Sequence, residues 1–270
     1  MKRALPLSLI VAFAAAASPA PLHAQAEIPA IPRRLPPEGK ALPDAAARAA
    51  LEKKLADLEA KLEEAAGNGL LPDAEIYAKA VRYALAHGEF YNKGSDKVAD
   101  AALGEGIQRA EALAAGKAPW LEARGTVVRG YRSPIDGSAQ PYGLEIPAGL
   151  KITPSTPIYV WLHGRGDTET DLYFIANRAK KPGQFQPGDG IVLHPFGRQC
   201  IGWKHAGELD VFDALDHVRR QFKIDSRAPV ALMGFRWAAR EPGTSAPTTR
   251  TAGMSCTRAR ALPRPPDTTG

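Results

Sequence analysis

Cysteine is nearly absent: Cys200 and Cys256 are the only two in 270 residues. They could pair in an oxidising compartment, but Cys256 lies in a C-terminal segment that does not read as folded, so no native disulfide is expected. A long apolar run is missing too. The run near the start, Ala4 to Ala17, is too short to cross hydrocarbon, which excludes a membrane anchor there. Lys2 and Arg3 precede it, and Ala24 and Ala26 follow in the A-x-A spacing that signal peptidase accepts. Residues 1–26 therefore read as a secretory signal peptide. No cysteine stands at the cleavage point, which excludes a lipoprotein signal. The expectation is a mature protein that begins near Glu27 and works in a periplasm or outside the cell.

The body of the chain also lacks excess charge. Lys and Arg number 35 against 29 Asp and Glu, a formal net charge of +6. Lys2 and Arg3 carry part of it, and six Arg against Glu241 and Asp267 carry the rest in the segment after Phe235. A body near neutrality argues against nucleic acid as a partner. No signature recurs at a fixed period, which argues against a helical repeat.

What is present falls into two patterns. Residues 27–43 are Pro-rich without periodicity and read as an extended arm. A helical region then spans 44–118. Its first helix, Asp44 to Ala66, sets Leu51, Leu55, Leu58 and Leu62 on one face and stops at Gly67-Asn68-Gly69. The second runs from Asp73 to His87, and the third from Lys97 to Ala115, where Gly104 and Gly106 weaken the pattern. A small helical cap or packing module is the expected role. After Pro119 the period changes to that of strands. Gly125 to Ser133 and Gln140 to Ile146 read as an antiparallel pair about Pro134-Ile135-Asp136-Gly137. Strands at Pro157 to Leu162, Gly190 to His194 and Val230 to Met233 alternate with helices at Glu169 to Lys180 and Gly207 to Phe222. The fold class is therefore α/β, a doubly wound sheet over 119–235 preceded by the helical region.

Ligands of an open α/β sheet sit beyond the carboxyl ends of its strands. Here those ends carry His163-Gly164-Arg165-Gly166-Asp167, Pro195-Phe196-Gly197-Arg198 and Gly234-Phe235. A His-Gly-x-Gly after a buried strand suits an oxyanion-hole loop, because glycines let backbone N–H groups converge; a tight loop that only needs positive φ reads the same way. A third glycine and a helix directly behind Gly164-Arg165-Gly166 are lacking, which argues against a dinucleotide site. His163 orients this loop more readily than it acts as a base. Asp167, Glu169 and Asp171 fit a solvated helix N-terminus better than a metal site, and Glu208 and Asp210 open a helix where carboxylates are favoured. Arg198, Trp203, Lys204 and His205 form a polar-aromatic loop that either lines a substrate pocket or is structural.

The segments VWLHGRGDTETD, HPFGRQCIGWKHAGELDVFDAL and IDSRAPVALMGF resemble secreted bacterial α/β-hydrolases of the prolyl-oligopeptidase-like and esterase group. The resemblance covers residues 157–235 and implies a small-molecule ester or peptide substrate, no cofactor, and an oxyanion hole at Gly164 and Arg165. In that family the last segment continues G-F-S-M-G-G-x-G-x-W, with serine as nucleophile. Arg236 stands in its place. The alternative function is a secreted non-catalytic module that binds carbohydrate or cell-wall material through the loop at Trp203. Neither reading sets an oligomeric state.

From Arg236 to Gly270 there is no Val, Ile, Phe or Tyr, and Leu262 is the only leucine. Such a stretch buries too little apolar surface to offset the entropy of ordering it, so a disordered tail without further strands is expected. Arg236-Trp237-Ala238-Ala239 can be written CGA TGG GCG GCG, which with a preceding T reads TCG ATG GGC GGC, or Ser-Met-Gly-Gly. Continuing through Gly243 yields Ala-Gly-Ala-Trp. Trp237 has a single codon, and it lands on the Met and Gly of the family motif. The tail thus reads as out-of-frame translation of a truncated hydrolase.

Overall fold

The computed structural model describes residues 36–164, 166–199, 203–234 and 257–259. The expected signal peptide, most of the Pro-rich arm and both cysteines lie outside them. Three helices come first: α1 (Ala45–Glu64), α2 (Pro72–His87) and α3 (Ser95–Ala114). Asp44 caps α1 by accepting from Ala47 N at 2.8 Å, which satisfies one of the donors a helix start leaves open. Leu51, Leu55 and Leu58 bury the predicted face. The glycine at 106 strengthens the packing rather than weakening the helix. A Cβ there would stand 2.7 Å from Leu58 Cδ2 and 2.9 Å from Tyr77 Cβ, so three helices meet where only hydrogen fits.

The sheet contains β1 (Gly125–Arg132), β2 (Ala139–Ile146), β3 (Ile158–Leu162), β4 (Ile191–Pro195), β5 (Val230–Gly234) and β6 (Thr257–Ala259). Its order is β1-β2-β4-β3-β5-β6. β1 pairs antiparallel with β2 and β2 antiparallel with β4, while β3 runs parallel to both β4 and β5. Helix α4 (Asp171–Lys180) connects β3 to β4, and α5 (Ala206–Phe222) connects β4 to β5. These two crossovers run in opposite directions across the sheet, so right-handed connections put the helices on opposite faces. The side chains agree: Gly143 of β2 lies under Arg178 of α4, whereas its neighbour Tyr142 meets His217 of α5, Oη to Nδ1, at 2.9 Å.

The strand at Thr257–Ala259 differs from the expected tail. It pairs antiparallel with Val230, Ala231 and Leu232. An open sheet edge offers unpaired N–H and C=O groups to any extended segment whatever its side chains, and composition does not report that. The rest of the tail lies outside the described residues.

The helical region and the sheet share one continuous hydrophobic core, running from Leu51 through Ile76, Leu144 and Ile191 to Val218. Asp73 ties them together. Its Oδ1 accepts from Arg129 Nε at 2.8 Å and Gly130 N at 2.7 Å, and its Oδ2 accepts from Trp120 Nε1 at 2.8 Å. The Arg109 guanidinium lies over Tyr77 and Trp120, 5.1 and 5.0 Å from the ring centroids, and donates to Val128 O at 2.8 Å. Buried charges persist only when paired and hydrogen-bonded, so these bonds fix α2 and α3 against β1 in one arrangement.

Candidate functional site

The helices that follow β3 and β4 lie on opposite faces, which opens a crevice beyond the carboxyl ends of these two adjacent strands. His163 stands there, directly after β3. Its Nδ1 lies 2.9 Å from Gly164 O and its Nε2 lies 2.9 Å from Phe196 O. A neutral imidazole carries one N–H, so it donates to one of these carbonyls at a time. Trp203 completes the enclosure: its Nε1 donates to His163 O at 3.2 Å, and its ring meets the imidazole edge to face at 4.8 Å. The indole lies so close over Gly197 that a Cβ would come within 2.3 Å of it. These contacts hold His163 as a brace between the ends of β3 and β4.

Of the expected oxyanion-hole pair, Gly164 is half-buried beside His163, and Arg165 lies outside the described residues. Leu162 pairs with Gly234 in the parallel register of β3 and β5. The loop that starts at His163 therefore leaves the sheet beside the end of β5 at Gly234. Phe235 and Arg236 lie outside the described residues.

Arg198 is committed elsewhere than in an open pocket. Its Nε donates to Asp210 Oδ2 at 2.9 Å, its Nη1 to Asp136 Oδ2 at 2.6 Å and its Nη2 to Ser133 Oγ at 2.6 Å. It thus clamps the β1–β2 turn and the start of α5 to the loop after β4. The guanidinium holds the Asp136 carboxyl well below the usual carboxylate range. Asp210, fully buried, is pushed up by that burial in spite of the same arginine. Asp210 is therefore the buried anchor of the clamp, a role beyond the expected helix-start carboxylate; Glu208 is exposed in the first turn of α5. Lys204 and His205 are exposed and are not drawn into the crevice. Arg198, Gln199, Trp203 and His205 all hold left-handed φ, between 52° and 64°. Non-glycine residues pay for that geometry, and it persists where surrounding bonds over-determine it.

The acids at 167, 169 and 171 part company. Asp167 is exposed and Glu169 is half-buried, but Asp171 is buried and its Oδ1 pairs with Lys79 Nζ at 2.8 Å, which differs from the solvated position expected. Periodicity marks a helix start but not the cation that an earlier helix brings over it. Beside it sits buried Glu89, whose pKa is pushed up to about 7, first by burial and then by the Asp171 charge. Among the described residues no group of three or more His, Cys, Asp and Glu could hold a metal ion.

A polar group that sequence reasoning missed lies on the α4 side of β2 and β4. His194 Nε2 lies 2.7 Å from Glu145 Oε1, Gly183 N donates to the same oxygen, and Arg178 Nη1 lies 3.3 Å from His194 Nδ1. Burial holds the His194 pKa below its usual value. Burial would raise Glu145, but the hydrogen bonds from His194 and Gly183 outweigh it and keep the carboxyl low. A cavity of about 560 Å³ adjoins this chain of residues at Arg178 and is lined also by His163, Gly164, Glu169, Lys180 and Lys181. The available signal was a His inside the otherwise apolar β4 and a Glu near the end of β2; both were read only as strand residues. No known family profile, no curated protein and no solved structure matches this chain.

Proposed function

We infer that the fold over residues 119–234 is the first part of a serine hydrolase for ester or peptide bonds, and that this chain lacks the nucleophile that would complete it. The Leu162–Gly234 register supports this reading best. An α/β-hydrolase needs the loop after its third strand beside the turn after its fifth, because one supplies an oxyanion-hole N–H and the other the attacking serine. The parallel pairing of β3 with β5 provides that adjacency, and the reversal of β2 alone among the first five strands fits the same architecture.

In the intact protein, a serine after Phe235 would attack the carbonyl. The Gly164 N–H would stabilise the developing oxyanion, and water would release the acyl group. Arg236 in that place cannot serve, since a guanidinium keeps its proton and offers no nucleophile. A one-base shift in the coding message after Phe235 accounts for both the missing serine and the composition that follows. The signal-peptide pattern of Met1 to Ala26 supports a location outside the cytoplasm under the same reading.

The chain as written should neither hydrolyse short-chain p-nitrophenyl esters nor react with a fluorophosphonate probe. Turnover abolished by that probe would mean that the nucleophile lies elsewhere. The alternative, a carbohydrate or cell-wall binding module, needs an open aromatic face. The Trp203 indole instead rests on His163 and Gly197.

A further inference from the structure

The cavity beside His163 has an unusual charge balance. Among its described lining residues Arg178, Lys180 and Lys181 stand against one carboxylate, that of Glu169. Among the described residues none of these three cations makes an ion pair, although most other arginines of the body do. Lys180 and Lys181 are exposed at the rim, but Arg178 is half-buried and held at several points.

Its side-chain stem lies on Gly143, where a Cβ would come within 3.0 Å of Cγ and Cδ. Its Nη1 faces His194 Nδ1 at 3.3 Å. An arginine can only donate, so that nitrogen must be the bare one. The ring proton therefore sits on Nε2 and is donated to Glu145 Oε1 at 2.7 Å. Glu145 is fixed in turn by Gly183 N. A buried carboxylate thus orients a neutral histidine, and the histidine orients the arginine. Because the carboxylate is one residue removed, it positions the guanidinium without neutralising it at contact distance. Four N–H donors of Arg178 are left in a planar fork suited to an oxyanion.

We propose that this cavity binds the carboxylate or phosphate group of an anionic ligand, with Arg178 as the contact and the buried Glu145–His194 pair as the device that positions it. Lys180 and Lys181 add attraction at the rim, which salt screens. The site does not depend on hydrolysis and stands whether or not a serine ever followed Phe235.

Calorimetric titration of the full chain at low ionic strength tests it with three probes: succinate, inorganic phosphate and uncharged succinamide. Succinate or phosphate should bind and succinamide should not; the tighter of the two anions identifies the ligand as a carboxylate or a phosphate. Arg178→Gln should weaken the preferred anion about tenfold or more, the worth of a charged hydrogen bond. Lys181→Gln, at an exposed position that folding does not need, should weaken it about twofold. For the positioning pair, ring ¹⁵N shifts should show a bare Nδ1 on His194 in the parent. Glu145→Gln should disturb that tautomer and the anion affinity together. Equal binding of succinamide would overturn the proposal. So would a folded Arg178→Gln variant that keeps the parent affinity, or a Glu145→Gln variant that loses the tautomer without losing affinity.

Discussion

β2 and β5 invert what their sequences suggest. β2, AQPYGLEI, carries a glutamine, a proline, a glycine and a glutamate, and every residue in it is buried. β5, VALMG, is apolar throughout, yet only Met233 is buried and Leu232 is 39 % exposed. The difference lies in their neighbours. β2 has β1 and β4 on its edges, α4 across Gly143 on one face and α5 across Tyr142 on the other. Around β5 the described residues supply β3 on one edge and three residues of β6 on the other. A strand is buried by what packs on it, and the described residues put little on β5. Exposed apolar side chains beside a short-covered edge also favour aggregation.

The largest effect expected from breaking the well-covered half is at Asp73. Asp73→Ala removes the partner of Arg129 with both side chains about 1 % exposed, and should destabilise the protein by about 3–5 kcal/mol, as loss of one member of a buried pair does. Urea unfolding reads this directly; a loss of under about 1 kcal/mol would mean that water reaches the pair. A matched set of leucines sharpens the comparison next. Leu144→Ala in β2 should cost about 2–5 kcal/mol, and Leu232→Ala in β5 under about 1 kcal/mol. Equal costs would show that β5 is as well covered as β2.

The smallest effect is a pH dependence. Glu89 binds its proton more tightly in the folded protein, with a pKa of about 7 against a usual value of 4.5. Between those values the folded state holds more protons than the unfolded state, so this carboxyl makes stability fall as pH rises across that window. His217 acts with the opposite sign: burial first, then Arg129, lowers it to about 4 from 6.5, so its contribution is lost as pH falls. Glu89→Gln should remove the first slope and leave the second, giving stability that rises more steeply with pH between about 4.5 and 7. Unfolding midpoints across that range would show it, and parallel pH profiles for parent and variant would place Glu89 in solvent.

The elements were legible because their signals are local. The five α-helices and five strands from α1 to β5 begin and end within two residues of the positions that periodicity and capping indicate, as with Asp44 before α1 and the leucine face at 51, 55 and 58. The strand order was not legible, because pairing β3 between β4 and β5 is a long-range event that no local pattern records. The site divides the same way. His163 and Gly164 stand at a strand end, where a short motif points to them. Glu145, His194 and Arg178 are far apart in sequence and meet only after β2 and β4 pair and α4 crosses them. Arg198 was visible as a polar residue near the crevice, but its partners Asp136 and Asp210 come from other elements. Its structural use could not be read locally.

The central claim is that the fold breaks off at the position where β5 would present a serine. One added T ahead of the Arg236 codon, with the gene and its downstream sequence otherwise unchanged, tests it directly. The account predicts that the resulting protein is labelled by a fluorophosphonate on the serine that follows Phe235 and turns over p-nitrophenyl esters. A folded product that stays unlabelled, or labelling of the chain as it is written, would contradict it.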